Sequence, residues 1–261
     1  MTPAPADLTR AGLSLEVGQP APGAVTVTLS RAQRRNAMTP SMWRGLAAIG
    51  RDLPEGTRVV VIRGAGPSFS AGIDLRLFAP DGVPGEEPLP DMAGPGAEDW
   101  IAACQQGFTW LHDPAIVSIA AVRGHAIGAG FQLALACDLR VLADDARLCL
   151  KEAALGLVPD LAGSKPLVDI VGLPRALELS LTARTVTAAE AQQLRLAELV
   201  VPAAELDAAV SDLAAALLTV DPAVSRAVKE LLAGAPGRTL PEQAAAERRA
   251  QVALQRSRIS R

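Results

Sequence analysis

The 261-residue chain has few of the residues that build disulfide frameworks and metal centres. It has three cysteines (Cys104, Cys137 and Cys149), two histidines (His112 and His125) and no tyrosine. An odd number of cysteines without a CxxC pair argues against a disulfide scaffold and against a cysteine-based zinc site. The two histidines leave little material for another kind of metal site. We therefore expect a protein of the reducing cytoplasm that holds no metal.

Excess charge of one sign and long apolar runs are also absent. Lysine and arginine number 25 against 28 aspartates and glutamates, so the formal charge is −3 and gives no general attraction to nucleic acid or anionic membranes. No apolar run approaches the roughly 18 residues of a membrane span, and the N-terminal sequence MTPAPADLTR lacks the pattern of a signal peptide. With 49% hydrophobic and 20% charged residues, the composition predicts a soluble globular protein without nucleic-acid or membrane partners.

The pattern of apolar residues predicts an α/β fold. Residues 1–11 are expected to be loose, and residues 79–98, with five prolines and four glycines, to form a mobile excursion. From Gly172 onward the pattern is almost wholly helical. The remaining predicted elements are a hairpin over 13–29, a helix capped by Thr39 with Pro40 in its first turn, strands at 58–62, 115–122 and 138–143, and helices at 99–111 and 131–137.

Two glycine-containing turns follow predicted strands: FSAGIDL (69–75) and GHAIGAG (124–130). Glycine lets a backbone turn sharply and approach a ligand closely, and a helix that begins after Gly128 has unpaired N–H groups at its first turn. Two such N–H groups from different turns can hold one carbonyl oxygen and stabilise charge that develops on it. Either turn alone is more simply a tight connection between a strand and a helix.

Together and in this order, the two turns resemble the crotonase superfamily, also called the enoyl-CoA hydratase/isomerase family. The resemblance covers about residues 12–235, and it implies a ClpP/crotonase-like spiral of β-β-α units. It divides the chain into an α/β core with the CoA site (1–200) and a helical part for oligomerisation (201–261), in a homotrimer or a dimer of trimers. The most specific segments are LSRAQRRNAM (29–38), FSAGIDL (69–75), AAVRGHAIGAGFQLALACDLRV (120–141) and KEAALGLVPDLAGS (151–164).

The resemblance also implies an acyl-CoA thioester as the substrate, so that coenzyme A arrives with the substrate and no separate cofactor is expected. The N–H groups of Ile73 and Ala129 would polarise the thioester carbonyl and make an enolate accessible. Arginine suits the CoA phosphates, although Arg34 and Arg35 are also compatible with a solvated loop pair. The residues that the resemblance places along CoA are Arg34, Arg35, Ala37, Ala71, Gly72, Asp74, Leu75 and Gly128.

Three polar residues carry the choice of reaction. Hydratases of the family use two glutamates, and the first of these positions holds Gln132, which cannot exchange a proton. The second position holds Glu152, which is present. Asp160 matches an acid found in dienoyl-CoA isomerases and aryl-CoA dehalogenases of the family. Because the dehalogenases depend on an aromatic-rich pocket and this chain has three tryptophans and no tyrosine, the comparison favours the isomerases.

The sequence therefore predicts an enoyl- or dienoyl-CoA isomerase that uses Glu152 and Asp160, with Gln132 in the same site. A hydratase, weakened by Gln132, and a non-catalytic acyl-CoA binding protein are the alternatives. Glu152 is also compatible with an exposed acid beside Lys151, Asp160 with a helix N-cap, and Gln132 with a hydrogen-bonding pocket residue. The resemblance implies no acyl chain length, because residues 79–98 lie where the family shapes its acyl pocket. The C-terminal segment lacks the aromatic residue with which the family usually reaches the CoA of a neighbouring subunit, although its arginines are compatible with phosphate contact.

Overall fold

The computed structural model describes residues 4–259, which form a mixed α/β fold. Its strands are β1 (Leu13–Val17), β2 (Ala24–Leu29), β3 (Val59–Gly64), β4 (Val117–Val122), β5 (His125–Ile127), β6 (Leu139–Ala143), β7 (Arg147–Cys149), β8 (Val186–Thr187) and β9 (Leu199–Val201). Its helices are α1 (Pro5–Arg10), α2 (Pro40–Arg51), α3 (Ala97–Thr109), α4 (Ala129–Ala136), α5 (Ser164–Thr182), α6 (Ala188–Gln193), α7 (Leu206–Leu218), α8 (Pro222–Gly234) and α9 (Leu240–Ile259).

A six-stranded sheet in the order β1-β2-β3-β4-β6-β9 forms the centre of the fold. Only β1 pairs antiparallel, with β2, and the other pairs are parallel. Strand β3 is an apolar run because both of its faces are covered. Its residues alternate between the faces: Val60 and Ile62 belong to the larger core, whereas Val59 and Val61 pack in a second cluster with Leu206 of α7.

A second, three-stranded sheet in the order β5-β7-β8 leads into the site. Strand β5 pairs parallel with β7, and β7 pairs antiparallel with β8. Strand β5 begins three residues after β4 ends, and α4 follows it after the single residue Gly128. The N–H of Gly128 donates to the carbonyl of Cys149 at 2.8 Å. The small sheet therefore fixes where α4 begins.

Several predicted elements are confirmed. The hairpin is β1 with β2, and the three predicted apolar strands are β3, β4 and β6. Helix α2 starts at Pro40, and the side chain of Thr39 accepts a hydrogen bond from the N–H of Met42 at 3.3 Å, as expected of an N-cap. The predicted helices at 99–111 and 131–137 are α3 and α4, each starting two residues earlier than expected.

One expectation is wrong and another is incomplete. Residues 5–10 of the segment expected to be loose form α1, because Leu8 is an apolar anchor that is only 4% exposed in the main core; residues 1–3 lie outside the described residues. The region after Gly172, expected to be almost wholly helical, is mainly helical, but the expectation did not include the short strands β8 and β9. Gly172 itself breaks α5, with φ +74° and ψ 159°.

Residues 79–96 form turns without a helix or strand between a 3₁₀ turn at Leu75–Phe78 and the start of α3. One carboxylate oxygen of Glu86 accepts the N–H of Ser41 in the first turn of α2 at 3.1 Å, and Val83 is buried. The excursion is therefore attached to the core at α2. Its mobility stays a prediction, as does the division of the chain at residue 200.

Within residues 4–259, none of the helices is both long and apolar enough to cross a membrane. The cytoplasmic location stays a prediction.

Candidate active site

The two glycine-containing turns predicted from the sequence lie against each other. The N–H of Ser70 donates to the carbonyl of His125 at 2.8 Å, and the N–H of Ile127 donates to the carbonyl of Ser70 at 3.0 Å. Gly72 has φ +87°, and a Cβ atom there would stand 2.6 Å from the carbonyl oxygen of Ile127 and 3.7 Å from the nitrogen of Ala129. The two turns thus form one backbone unit, whose close approach requires glycine at position 72.

Two backbone N–H groups of this unit are placed for a ligand. The N–H of Met38 donates to the carbonyl of Gly72 at 2.7 Å, and the N–H of Asp74 donates to the carbonyl of Met38 at 2.8 Å. In such a parallel bridge, the N–H of the intervening residue, Ile73, faces away from Met38. Ala129 is the first residue of α4, so its N–H has no acceptor within the helix. Ile73 and Ala129 line the same cavity.

This cavity has a volume of about 370 Å³ and is lined mostly by apolar side chains. Of the residues predicted along CoA, it contains Ala71, Gly72, Leu75 and Gly128, and it also contains the three predicted catalytic candidates. Its other lining residues are Trp43, Phe78, Leu89, Met92, Trp100, Ile101, Cys104, Ile127, Lys151, Leu155, Leu157 and Leu161.

Glu152 is buried in the wall of this cavity, with 8% of the residue exposed. Its Oε1 accepts a hydrogen bond from Nε2 of Gln132 at 2.6 Å, whereas its Oε2 is buried without a partner among the described residues. Burial raises the pKa of the carboxyl, the bond from Gln132 opposes that rise, and the charge of Asp160 adds to it. The interpretation of Glu152 as an exposed acid beside Lys151 is therefore wrong.

Asp160 is half-buried and lines the same cavity, and burial raises its pKa as well. Helix α5 begins four residues later, at Ser164, with Gly163 at the N-cap position and no side-chain cap. The alternative role of Asp160 as a helix cap is therefore wrong. Two carboxyl groups whose pKa values both rise on burial thus line one cavity, and the charge of Asp160 acts on Glu152.

Gln132 is 1% exposed and hydrogen-bonds on both sides of its amide group. Its Oε1 accepts the N–H of Leu161 at 2.9 Å and that of Gly163 at 3.3 Å, while its Nε2 donates to Glu152. The hydrogen-bonding role weighed from the sequence is confirmed.

Three of the other residues predicted along CoA do not line the cavity. Arg34 and Arg35 are exposed at a 3₁₀ turn, where Arg35 has φ +49° and its carbonyl accepts the N–H of Ala71 at 2.8 Å. Ala37 is buried, and its carbonyl accepts a hydrogen bond from the guanidinium of Arg31. Contact of Arg34, Arg35 or Ala37 with CoA stays a prediction.

Asp74 also lies outside the cavity lining, and its carboxylate forms ion pairs with two arginines. Its Oδ2 accepts a hydrogen bond from Nη2 of Arg76 at 2.7 Å and another from Nη2 of Arg31 at 2.9 Å. These hydrogen bonds, those from Arg76 foremost, hold the pKa of Asp74 well below its usual range. The side chain therefore ties the turn of Ile73 to the segment of Arg31, and a direct contact with CoA stays a prediction.

Aromatic side chains form one wall of the cavity, which the sequence did not predict. Two of the three tryptophans and one of the four phenylalanines line it: Trp43 from α2, Trp100 from α3 and Phe78. The rings of Trp43 and Trp100 meet edge to face, with centroids 6.3 Å apart. Although the chain is poor in aromatic residues, three of them converge on this cavity, so the expectation that it lacks an aromatic pocket is wrong. An apolar face on each of α2 and α3 was the available signal.

Comparison with known proteins identifies the family. A model of the family described as "Enoyl-CoA hydratase/isomerase" matches residues 21–260. This chain belongs to the enoyl-CoA hydratase/isomerase family. A Thermobifida fusca YX protein assigned as an enoyl-CoA hydratase, solved with CoA, is 55% identical with a TM-score of 0.95, over 100% of this chain and 99% of that chain. A second structure, with acetoacetyl-CoA, is 56% identical with a TM-score of 0.93, over 98% of this chain and 100% of that chain.

The curated relatives of this family member carry out different reactions. Carnitinyl-CoA dehydratase of Salmonella typhi is 40% identical over 184 residues, 69% of this chain and 65% of that protein. The mitochondrial Delta(3,5)-Delta(2,4)-dienoyl-CoA isomerase of Rattus norvegicus is 36% identical over 182 residues, 67% of this chain and 55% of that protein. The predicted crotonase fold and family are thus confirmed, while membership alone leaves the reaction open.

Proposed function

We propose that this chain is an acyl-CoA isomerase that moves double bonds along an enoyl or dienoyl thioester. One observation carries the proposal: Glu152 and Asp160, both with raised pKa values, line the apolar cavity that also contains Ile73 and Ala129. The third polar position of the site holds Gln132, whose amide cannot exchange a proton. Such a site suits proton transfer between two points of a carbon chain.

The thioester oxygen binds between the N–H groups of Ile73 and Ala129. These donors stabilise the negative charge that moves onto this oxygen as the neighbouring carbon loses its proton. The positive end of the α4 dipole acts in the same direction, because Ala129 is the first residue of that helix.

Glu152 is the base and Asp160 the distal acid. Oε2 of Glu152 takes the proton from the carbon next to the thioester, the electron pair moves into the enolate, and Asp160 delivers a proton further along the chain. One proton leaves the acyl group and one returns, so that no oxidant or other reactant is consumed. Exchange with solvent then returns both carboxyl groups to their starting states. The raised pKa of Asp160 suits a carboxyl group that must carry a proton.

Coenzyme A is part of the proposed substrate, and no cofactor beyond it is required. The relative solved with CoA and with acetoacetyl-CoA supports this substrate class. We also expect a homotrimer or a dimer of trimers through the helical C-terminal part, since apolar side chains are exposed on two of its helices: Leu232 on α8 and Leu240 on α9.

Hydration of an enoyl-CoA is the second candidate, and the relatives named as hydratase and dehydratase favour it. Gln132 weighs against it, because the loss of one acid–base group costs about 10²–10⁴-fold in rate. Binding of acyl-CoA without turnover is the third candidate.

A substrate panel separates these functions. The protein and its Glu152→Gln variant are incubated with trans-2-, cis-3- and 3,5-dienoyl-CoA, and absorbance and products are followed. The proposal predicts isomerisation of the 3-enoyl and 3,5-dienoyl thioesters, lost in the variant, and slow hydration of crotonyl-CoA. Hydration at ordinary enzyme rates of tens per second without isomerisation would assign a hydratase. Binding without any turnover would assign a binding protein.

A further inference from the structure

One side chain joins the three segments that build this site. Gln132 belongs to the first turns of α4, which begins at the Ala129 N–H. Its Nε2 reaches Glu152 at 2.6 Å, and its Oε1 receives the N–H groups of Leu161 and Gly163, which follow Asp160 in the chain. The oxyanion turn, the base and the segment of the distal acid are therefore connected through one amide group.

The position requires an amide because it needs a donor on one side and an acceptor on the other. A carboxylate at position 132 would place oxygen against oxygen across 2.6 Å unless a proton were shared between them. An apolar side chain would leave two backbone N–H groups and the Glu152 carboxylate without this partner, at a buried site where unsatisfied groups are costly. Gly163 completes the fit, since a Cβ there would stand 2.6 Å from Cγ of Gln132.

The two N–H groups that Oε1 receives flank a strained residue. Ala162 has φ +65°, which is unusual for a residue other than glycine. Such a conformation persists when its surroundings hold it. The bonds from Leu161 and Gly163 to Gln132, one on each side of Ala162, supply that restraint. They also fix the path of the chain immediately after Asp160.

The hydrogen bond from Gln132 makes the two carboxylate oxygens of Glu152 different from each other. Oε1 is held by Gln132, while Oε2 is buried without a partner among residues 4–259. With Oε1 held, the carboxyl plane has a fixed orientation. Proton exchange is then left to Oε2.

We propose that Gln132 is the positioning residue of this site, whose amide fixes the Glu152 carboxylate and the 161–163 backbone relative to one another and leaves Oε2 of Glu152 to exchange protons. The inference rests on the proposed function for the identity of the base. Gln132 itself touches no reacting atom. The positioning role therefore replaces the expectation that Gln132 is catalytic.

The test compares Gln132→Met and Gln132→Glu with a matched control, Gln105→Met. Gln105 also donates from its Nε2 to this segment, at 2.7 Å from the carbonyl of Asp160, but it makes no bond to Glu152. Two quantities are measured: the pH dependence of kcat/KM for a 3-enoyl-CoA, and the protonation of Glu152 by infrared difference titration without substrate. The Glu152→Gln variant assigns the carboxyl band.

Loss of the hydrogen bond to the ionised carboxylate makes protonation of Glu152 easier. In Gln132→Met, the infrared titration and the acidic limb of kcat/KM should both move to higher pH by about one to two units. Below the limb, kcat/KM falls about tenfold per unit. In Gln132→Glu the shift should be larger, because two carboxyl groups then share one proton, although the backbone bonds to Leu161 and Gly163 can remain. Gln105→Met should leave both titrations where they are.

Circular dichroism establishes whether each variant is folded. If Gln132→Met does not fold, the titration of Gln132→Glu tests the inference. An unchanged Glu152 titration in the folded variants would overturn the inference, as would an equal shift in Gln105→Met. Because the infrared titration needs no turnover, the two proposals can fail separately. If the Glu152 titration shifts in the Gln132 variants but the parent protein has no isomerase activity, the positioning role stands and the proposed function is rejected. If the parent protein is an isomerase but the titration does not shift in the variants, the proposed function stands and the positioning role is rejected.

Discussion

Gly72 and Ile127 approach so closely that a Cβ atom on the first would stand 2.6 Å from the carbonyl oxygen of the second. The contact sets the spacing between the turn of Ile73 and the turn of Ala129. The proposed oxyanion site therefore depends on a backbone-to-backbone fit.

Gly72→Ala should separate the two turns and lower kcat by 10²-fold or more, since a donor that is displaced no longer stabilises the oxyanion. Gly56→Ala is the matched control: Gly56 has a similar φ of +78°, but a Cβ there meets nothing within 4 Å. Thermal melts measure the stability lost by placing a side chain at positive φ, and kinetics measure the activity lost by separating the two turns. Both should lose stability from the positive φ, and only Gly72→Ala should lose activity. Equal activity in both would contradict the role of the contact.

Ala129→Pro should remove one oxyanion donor and keep the helix. Proline is well tolerated at the first position of a helix, which Ala129 occupies in α4. We expect kcat to fall by about 10²–10³-fold. Ala129→Gly, which keeps the N–H, should have a mild effect. A folded Ala129→Pro protein that retains most of its activity would show that the donor lies elsewhere.

Glu152→Gln should abolish isomerisation and stabilise the fold at neutral pH. Burial raises the pKa of Glu152, so the folded protein holds its proton more tightly than the unfolded chain. The stability linked to that proton is present below the unfolded pKa, about 4.3, and is lost as pH rises through the folded value. The amide does not titrate. The unfolding temperature of the variant should therefore exceed that of the parent by a few °C near pH 7, and the difference should shrink near pH 4.

The control for this stability effect is Glu87→Gln, which changes an exposed carboxylate in the 79–96 segment. It should leave the unfolding temperature nearly unchanged at both pH values. If Glu152→Gln melted below the parent at neutral pH, the account of its burial would be wrong.

Trp100→Ala should change which acyl groups are accepted. Trp100 lines the cavity and meets Trp43 edge to face, so its removal enlarges the cavity beside α2 and α3. The ratio of kcat/KM for a long or bulky acyl-CoA to that for a short one should rise by roughly tenfold or more. The comparison variant is Trp110→Ala, because Trp110 hydrogen-bonds to the carbonyl of Gly107 and lies outside the cavity lining. The same ratio in parent and Trp100→Ala would exclude a role in selection.

Local signals made part of this fold predictable. Thr39 followed by Pro40 marks the start of α2, and the apolar run at 58–62 marks β3. The strands β5, β7, β8 and β9 have only two or three residues each, too few for a periodic pattern, and exist through pairing with distant segments. The turns around Gly72 and Gly128 could be predicted because glycines follow predicted strands there, and the family resemblance then implied their function.

The polar residues of the site could be predicted from the family resemblance, but the contacts between them could not. The sequence offers no sign that Gln132 bonds to Glu152, Leu161 and Gly163 at once, because these contacts join segments 20 to 31 residues apart. The meeting of Trp43 with Trp100 depends on how α2 packs on α3. Arg34 and Arg35 match the family segment, yet they are exposed and outside the cavity lining.

The most direct test of the proposed mechanism is the response of two substrates to Asp160→Asn. The shift of a 3,5-dienoyl thioester needs a proton delivered far from the thioester, where we place Asp160, whereas Glu152 alone can serve the shorter 3-to-2 shift. The value of kcat/KM should fall by about 10²–10⁴-fold for the dienoyl substrate and far less for the 3-enoyl substrate. Asp169→Asn, which changes an exposed acid on α5, should affect neither reaction. Equal, small effects of Asp160→Asn on both substrates would contradict the account.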